Sequence, residues 1–141
     1  MKISTKGRYG LRVMVDLAKY NTGEYISLKD ISSRQDISLK YLEHIVRILQ
    51  NDGLVRSARG VKGGYKIARS PSLITVRQVL EACEGDLCFV DCEETGTMCA
   101  RSEYCETKTF WQDLNNYLLS YLESMTIQDL LDKNDNYDYV I

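Results

Sequence analysis

From Ser38 to Ala68 the chain reads SLKYLEHIVRILQNDGLVRSARGVKGGYKIA, and this stretch constrains the fold more than any other. Leu39, Leu42, Ile45, Val46 and Leu49 recur at three- and four-residue spacing, which predicts a helix opening at Ser38 with one buried apolar side. The opposite side carries Lys40, Tyr41, Glu43, His44 and Arg47, hydrogen-bonding groups aimed at water or at a partner. Asn51-Asp52-Gly53 stops the helix, because glycine tolerates the left-handed conformation that closes a helix end. Two short alternating runs follow, Leu54 to Ala58 and Tyr65 to Ala68. They flank the basic, glycine-rich tip Arg59-Gly60-Val61-Lys62-Gly63-Gly64, the pattern of a β-hairpin.

A helix running straight into such a hairpin suggests a winged helix, in which the helix enters a DNA major groove and the wing reaches the adjoining backbone. The groove admits one α-helix, and its base edges offer donors and acceptors that Lys, Glu and Tyr can read. A solvated helix face beside an ordinary hairpin would leave the same local pattern, so the flanking chain must decide.

Upstream, Lys6 to Tyr20 places Leu11, Met14, Val15, Leu17 and Ala18 on one side of a helix, with Arg8, Arg12 and Lys19 on the other. Asn21-Thr22-Gly23 ends it. Ser27 then opens a second helix in the manner of a capping box, with Asp30 at its third position and Leu28, Ile31 and Ile37 supplying buried contacts. Asp36-Ile37-Ser38 is the turn into the central helix, and Ser38 is its N-cap. Two short helices joined by so brief a turn form a helix-turn-helix.

Charge divides the chain. Residues 1–70 hold 14 Lys and Arg against 6 Asp and Glu, or +8; residues 71–141 hold 4 against 14, or −10, giving the net −2 of the whole. The first half suits a phosphate backbone and the second repels one, as expected when one module binds nucleic acid and another does something else. A chain of 141 residues buries one core, or one core and an appendage. It contains no run of about 18 apolar residues that could span a bilayer. The start lacks a signal-peptide core, so a cytoplasmic protein without a membrane partner is expected. Five cysteines in such a setting point to metal or redox chemistry before structural disulfides.

Past Ser70-Pro71-Ser72, Thr75 and Gln78 form a capping box ahead of a helix with Val76, Val79, Leu80 and Cys83 on one face, which puts Cys83 in the core. Periodicity then vanishes from Gly85 to Thr109, where Cys88, Cys92, Cys99 and Cys105 stand among Asp86, Asp91, Glu93, Glu94, Glu103 and Glu106. A loop this long inside a compact domain is functional or disordered. Beyond it Trp111, Leu114, Leu118, Tyr121 and Met125 alternate at three and four, with Phe110, Leu119 and Leu122 widening the stripe. So long an apolar side predicts pairing with a second copy, packing on its own domain being the alternative. Thr126 and Asp129 cap a last short helix, followed by a polar tail. The expected organisation is a DNA-binding domain over 1–83, a cysteine-bearing loop over 84–107, a dimerisation helix and short helix over 108–132, and a tail over 133–141.

Lys6-Gly7-Arg8-Tyr9, Ile37-Ser38-Leu39-Lys40-Tyr41-Leu42-Glu43, Gly53-Leu54-Val55, Arg59-Gly60-x-x-Gly63-Gly64-Tyr65, and three spaced cysteines ahead of a Trp-bearing long helix together resemble the winged-helix regulators of the Rrf2 family, from residue 1 to about 131. The resemblance implies a mostly α fold with a small β-hairpin wing. It also implies a homodimer bound to double-stranded DNA at a pseudo-palindromic operator, mainly as a repressor. In that family the start of the recognition helix and the wing arginine contact DNA, which carries to Ser38, Lys40, Glu43 and Arg59; Tyr41, His44, Arg47, Gly60, Lys62, Gly63 and Gly64 join them from their positions on the same helix face and wing. The long helix forms the dimer. In the iron-sulfur-sensing branch, of the IscR type, the cysteines hold a cluster, here expected to be 2Fe-2S, which carries to Cys92, Cys99 and Cys105.

Spacings of six and five residues leave no Cys-x-x-Cys knuckle, which argues against a zinc ribbon or a thioredoxin-like site, whereas iron-sulfur clusters accept wider spacing. The IscR pattern has His three residues after the third cysteine; this chain has Lys108 there, and its one histidine is His44. An acidic ligand near the N-terminus, used by nitric-oxide sensors of the family, is replaced by Arg8. The fourth ligand therefore falls to Cys88 or Glu106, with Glu103 and a group from a second subunit as further alternatives. A cluster-free branch, which governs cysteine metabolism through a partner protein, shares the N-terminal motifs. A thiol enzyme is disfavoured, since a cysteine nucleophile needs a base beside it and the single histidine lies on the proposed DNA face.

Overall fold

Val13, Met14 and Leu17 of the first helix are fully buried, and the other elements assemble around them. The computed structural model describes residues 1–93 and 99–138; Glu94 of the acidic crowd and residues 139–141 of the tail lie outside the described residues. Six helices and one hairpin are described: α1 Thr5–Lys19, α2 Leu28–Gln35, α3 Leu39–Asn51, β1 Val55–Ala58, β2 Gly64–Ile67, α4 Val76–Glu84, α5 Lys108–Ser124 and α6 Ile127–Asp138. Leu42, Ile45, Val46 and Leu49 of α3 close the core against α1, together with Ile31, Ile37, Leu54, Ile67, Ile74 and Val79. No helix among the described residues is long and apolar enough to cross a membrane.

The expected caps form. Ser27 accepts from the Asp30 amide, Ser38 from the Tyr41 amide, and Thr75 with Gln78 makes a reciprocal capping box. Thr126 and Asp129 do the same at α6, amide to side chain in both directions. Such caps satisfy amides that a helix start leaves without partners. Two expectations need correction. Leu39, placed on the buried side of α3, is 47% exposed, because it is the first residue of the helix and lies outside the core cluster. The final helix is not short: α6 continues to Asp138, so residues 133–138 are helical, not tail.

Helix α1 packs most extensively on α4, and two glycines let them meet. A Cβ on Gly7 would lie 2.5 Å from Glu84 Oε1, and one on Gly10 would lie 2.6 Å from Cys83 Sγ. Ser4, the N-cap of α1, makes no side-chain cap of its own. Glu84 takes that role from eighty residues away: its Oε1 accepts from the Ser4 amide at 2.9 Å, the Ser4 hydroxyl and the Gly7 amide at 3.0 Å. A carboxylate there also meets the positive end of the helix dipole. Cys83 beside it is 5% exposed, and burial pushes its thiol up to about 11, so it stays protonated at neutral pH.

The junction of α5 and α6 is tied back to the segment before α4. The Val76 amide donates to Met125 O at 2.8 Å and the Ile127 amide to Ile74 O at 2.9 Å, while Ile127 is fully buried in the main core. Helix α6 is thereby part of the body that carries α3. Glu84→Ala should lower stability by about 1 to 2 kcal/mol, the usual cost of a lost N-cap. Glu84→Gln, which keeps an acceptor oxygen, should lose less. Urea unfolding followed by circular dichroism checks both, and an unchanged midpoint for Glu84→Ala would mean that water caps α1 equally well.

Candidate nucleic-acid interface and cysteine site

The turn from α2 into α3 is set by Asp36, whose backbone is left-handed (φ 54°, ψ 48°), a conformation that Asp tolerates better than most side chains. Ile37 follows, 4% exposed, with its carbonyl accepting from the Ser32 hydroxyl at 2.6 Å. These contacts fix where α3 begins. Ser38, Lys40, Glu43, His44 and Arg47 are all exposed along it, on the side away from the core. Tyr41 is half-buried; its ring meets Tyr9 edge-on at 5.7 Å and His44 at 6.3 Å. Arg12 of α1 stacks on Tyr9 at 4.9 Å and donates to the side-chain and backbone oxygens of Gln35 at the end of α2. Helix α1 thus supports the exposed helix from behind. Periodicity alone gives Tyr9 and Arg12 no such part; the signal for it in the sequence is an aromatic followed three residues later by Arg.

Strands β1 and β2 pair antiparallel, from Val55 opposite Ile67 to Ala58 opposite Gly64. Arg59, Gly60, Val61 and Lys62 are exposed at the tip, and Gly63 donates its amide to Gly60 O at 3.0 Å. The hairpin is not free-standing. Tyr65 and Ile26 exchange two backbone hydrogen bonds of 2.8 Å, anchoring the wing to the segment ahead of α2. That anchorage needs Gly64, since a Cβ there would run into the Ile26 carbonyl, and its φ of 144° lies where side chains rarely go. The exposed α3 face and the wing tip together present Lys40, Arg47, Arg59 and Lys62 as cations and Glu43 as the one carboxylate among the assigned residues.

Three of the loop cysteines converge. Cys92, Cys99 and Cys105 line one cavity of about 20 Å³ together with Ser102, Lys108 and Trp111. Tight turns bring them there: the Ser102 amide donates to Cys99 O at 3.0 Å, Tyr104 to Arg101 O at 2.9 Å and Lys108 to Cys105 O at 3.4 Å. Cys105 Sγ lies 3.3 Å from the Thr107 hydroxyl, and hydrogen bonding from Thr107 holds its pKa below the usual thiol value. The Lys108 ammonium donates to Ser102 Oγ at 2.8 Å. Cys88 is half-buried and lines a different cavity, with Met1, Ile3, Glu84 and Phe89; Glu106 is exposed.

Thiolates are the donors an iron-sulfur cluster takes, so the donor set suits one. The present spacing does not. A void of about 20 Å³ holds little more than one water, and no group of three His, Cys, Asp or Glu among the described residues has metal-ligand geometry. A cluster would require the turns around Cys99 and Cys105 to open.

Helix α5 contributes no buried residue. Leu119, Leu122 and Met125 pack inward on Val76, Leu80 and Leu87, and Trp111 borders the cysteine cavity. Leu114 and Leu118 are half-buried, whereas Tyr121 is 55% exposed. Phe110, one of the residues widening the expected stripe, is 58% exposed, and Tyr117, one residue around from it, is 79% exposed.

The profile of the Rrf2 family, described as an iron-dependent transcriptional regulator, matches residues 3–133. The chain is 37% identical over 131 residues to Protein rrf2 of Nitratidesulfovibrio vulgaris strain Hildenborough, covering 93% of this chain and 87% of the relative. Among solved structures, T. potens IscR superposes with a TM-score of 0.79 at 34% identity, covering all of this chain and 93% of the other. CymR, the global cysteine regulator of B. subtilis, superposes at 0.77 with 36% identity, covering 94% and 98%. With this architecture, and with matches of that extent, the chain belongs to the Rrf2 family of winged-helix transcriptional regulators and is not an enzyme.

Proposed function

We propose that this protein is a cytoplasmic, homodimeric repressor that binds a pseudo-palindromic operator and senses iron-sulfur, iron or redox status through a cluster ligated by Cys92, Cys99 and Cys105. The observation that carries the reading is the convergence of these three cysteines beneath Trp111, at the start of the helix with the outward apolar face. The iron-dependent description of the family and the likeness to T. potens IscR support the same reading. A cluster supplies a bond set that reducing or oxidising conditions make or break. The protein's own part is to gather the thiols, keep Cys105 inclined to ionise through Thr107, and hold Lys108 against Ser102. Cys88 remains the first candidate for a fourth ligand and Glu106 the second. A cluster-free regulator of cysteine metabolism acting through a partner protein is the second reading. It is favoured by the small volume between the cysteines and by the likeness to CymR, the global cysteine regulator of B. subtilis.

On the DNA side, phosphate contacts supply affinity and base contacts supply discrimination, each good base contact being worth about 1 to 3 kcal/mol. Glu43 gains nothing from a phosphate, so it reads a cytosine amino group and rejects other sequences. Glu43→Ala should narrow the gap between operator and random DNA with little loss of total affinity, measured by fluorescence anisotropy; an unchanged ratio removes Glu43 from base reading. Lys62→Ala should weaken all sequences alike and flatten the salt dependence by about one unit.

The dimer uses the outward face of α5. Leu118→Glu places a charge in that seam and should give monomers that lose operator binding, because two recognition helices must meet half-sites about one DNA turn apart. Light scattering that still reports a dimer would move the interface elsewhere.

Anaerobically purified protein should absorb in the visible and carry iron. Alanine at Cys92, Cys99 or Cys105 should abolish the colour, and Cys88→Ala should shift it or shorten its life in air. Colourless, iron-free protein from anaerobic cells would favour the cluster-free reading. In metal-free protein, Cys105 should react with iodoacetamide from a lower pH than Cys83, since a depressed pKa keeps the thiolate present as pH falls and burial suppresses it at Cys83. Mass spectrometry of the labelled peptides reads the order.

A further inference from the structure

A larger cavity lies on the other side of α1, where α2 and α6 meet it. It measures about 730 Å³, within the range of small-molecule sites. Its floor is settled chemistry. Asp16, 1% exposed, accepts from Arg34 at 2.7 and 3.0 Å and from Gln35 Nε2 at 2.9 Å, while the Arg34 guanidinium also stacks on Tyr20 at 4.1 Å. That pair cancels its own charge. Three more cations line the cavity, Arg12 and Lys19 of α1 and Lys133 of α6, and none of them is in an ion pair among the described residues. Among the described residues no second carboxylate lines it.

Leu11, Val15 and Leu130 supply an apolar wall between these cations. Arg12 and Lys19 stand seven residues apart on α1, about 10 Å along the helix. Inorganic phosphate would leave that wall and most of the volume unused, and an apolar molecule would leave three cations without a counter-charge. We infer that this cavity binds a small organic carboxylate with an apolar or aromatic body. The acid group lies in the positive field of Arg12, Lys19 and Lys133, with Lys133 as its direct partner, and the body lies on Leu11, Val15 and Leu130. The site borders the bond from Arg12 to Gln35, one residue before the Asp36 turn that leads into α3.

The test needs no DNA and no cluster, so its outcome is independent of the sensor and operator assignments. Full-length protein is titrated with phenylacetate, with its neutral isostere phenylacetamide and with inorganic phosphate, while the methyl NMR signals of Leu11, Val15 and Leu130 are followed. Phenylacetate should shift these methyls saturably and phenylacetamide should bind about tenfold more weakly, the scale of one lost charge-assisted contact. Lys133→Glu, at an exposed position, should weaken phenylacetate by a similar factor, and Lys133→Arg should retain it. The inference is overturned if phenylacetate moves none of the three methyls. It is overturned equally if the amide binds as well, which marks an apolar cleft only, or if phosphate matches phenylacetate, which marks an adventitious anion site only.

Discussion

The close crossing of α1 and α4 is the contact on which the rest of the structure depends. Gly7 and Gly10 remove two side chains from the line of approach, and Cys83 and Glu84 occupy the space. Either glycine alone would leave the helices wedged apart at the other. Once they touch, the Glu84 carboxylate is within reach of the α1 amides, so a packing contact and a helix cap become one feature. Through α1 the crossing fixes the position of α3, since Tyr9 and Arg12 bear on Tyr41 and Gln35. Through α4 it fixes the origin of the cysteine segment, which leaves the helix at Gly85, immediately after the capping residue.

What could be read from the sequence divides along the same line. The caps at Ser27, Ser38, Thr75 and Thr126 were legible because donor and acceptor lie three residues apart and the residue types themselves state the bond. The buried side of α3 was legible from periodicity, with Leu39 as the instructive failure. Spacing gives the direction a side chain takes from the helix axis, and it does not say whether another element lies there to cover it. The cap that Glu84 provides was illegible for a related reason: its partner is eighty residues away, and nothing local separates it from any other glutamate at a helix end.

The cysteine segment shows the limit from the other side. A helix or strand repeats its chemistry, and that repetition is the signal; a ligand set occurs once, at spacings fixed by loop geometry. Between Cys99 and Lys108 the chain folds through backbone turns at Cys99, Arg101 and Cys105 whose sequence carries no glycine or proline to announce them, and Cys92 lines the same cavity. The resemblance to a family selected these three thiols, and the turns bring them to one cavity. Neither fixes a fourth position. Cys88, four residues before Cys92 in sequence, faces a different cavity beside the N-terminus. Nearness along a loop is weak information when the chain between turns on itself.

In sequence the apolar residues of helix α5 form one broad stripe, but the fold splits that stripe in two. Leu119, Leu122 and Met125 are used on α4, whereas Phe110, Tyr117 and Tyr121 stay in water. Burying an aromatic side chain of that size is worth about 1.5 to 3 kcal/mol, so three left exposed on one helix is a cost that a second copy of the same face would remove. The first turn of α5 also closes the cysteine cavity with Lys108 and Trp111. Any group held between the thiols would therefore push on the end of the helix that presents this apolar face, while the far end is held by the backbone bonds at Met125 and Ile127. In the homodimer proposed above, a helix fixed at one end and loaded at the other would pivot, and a pivot at its seam would change the separation of whatever the two subunits carry.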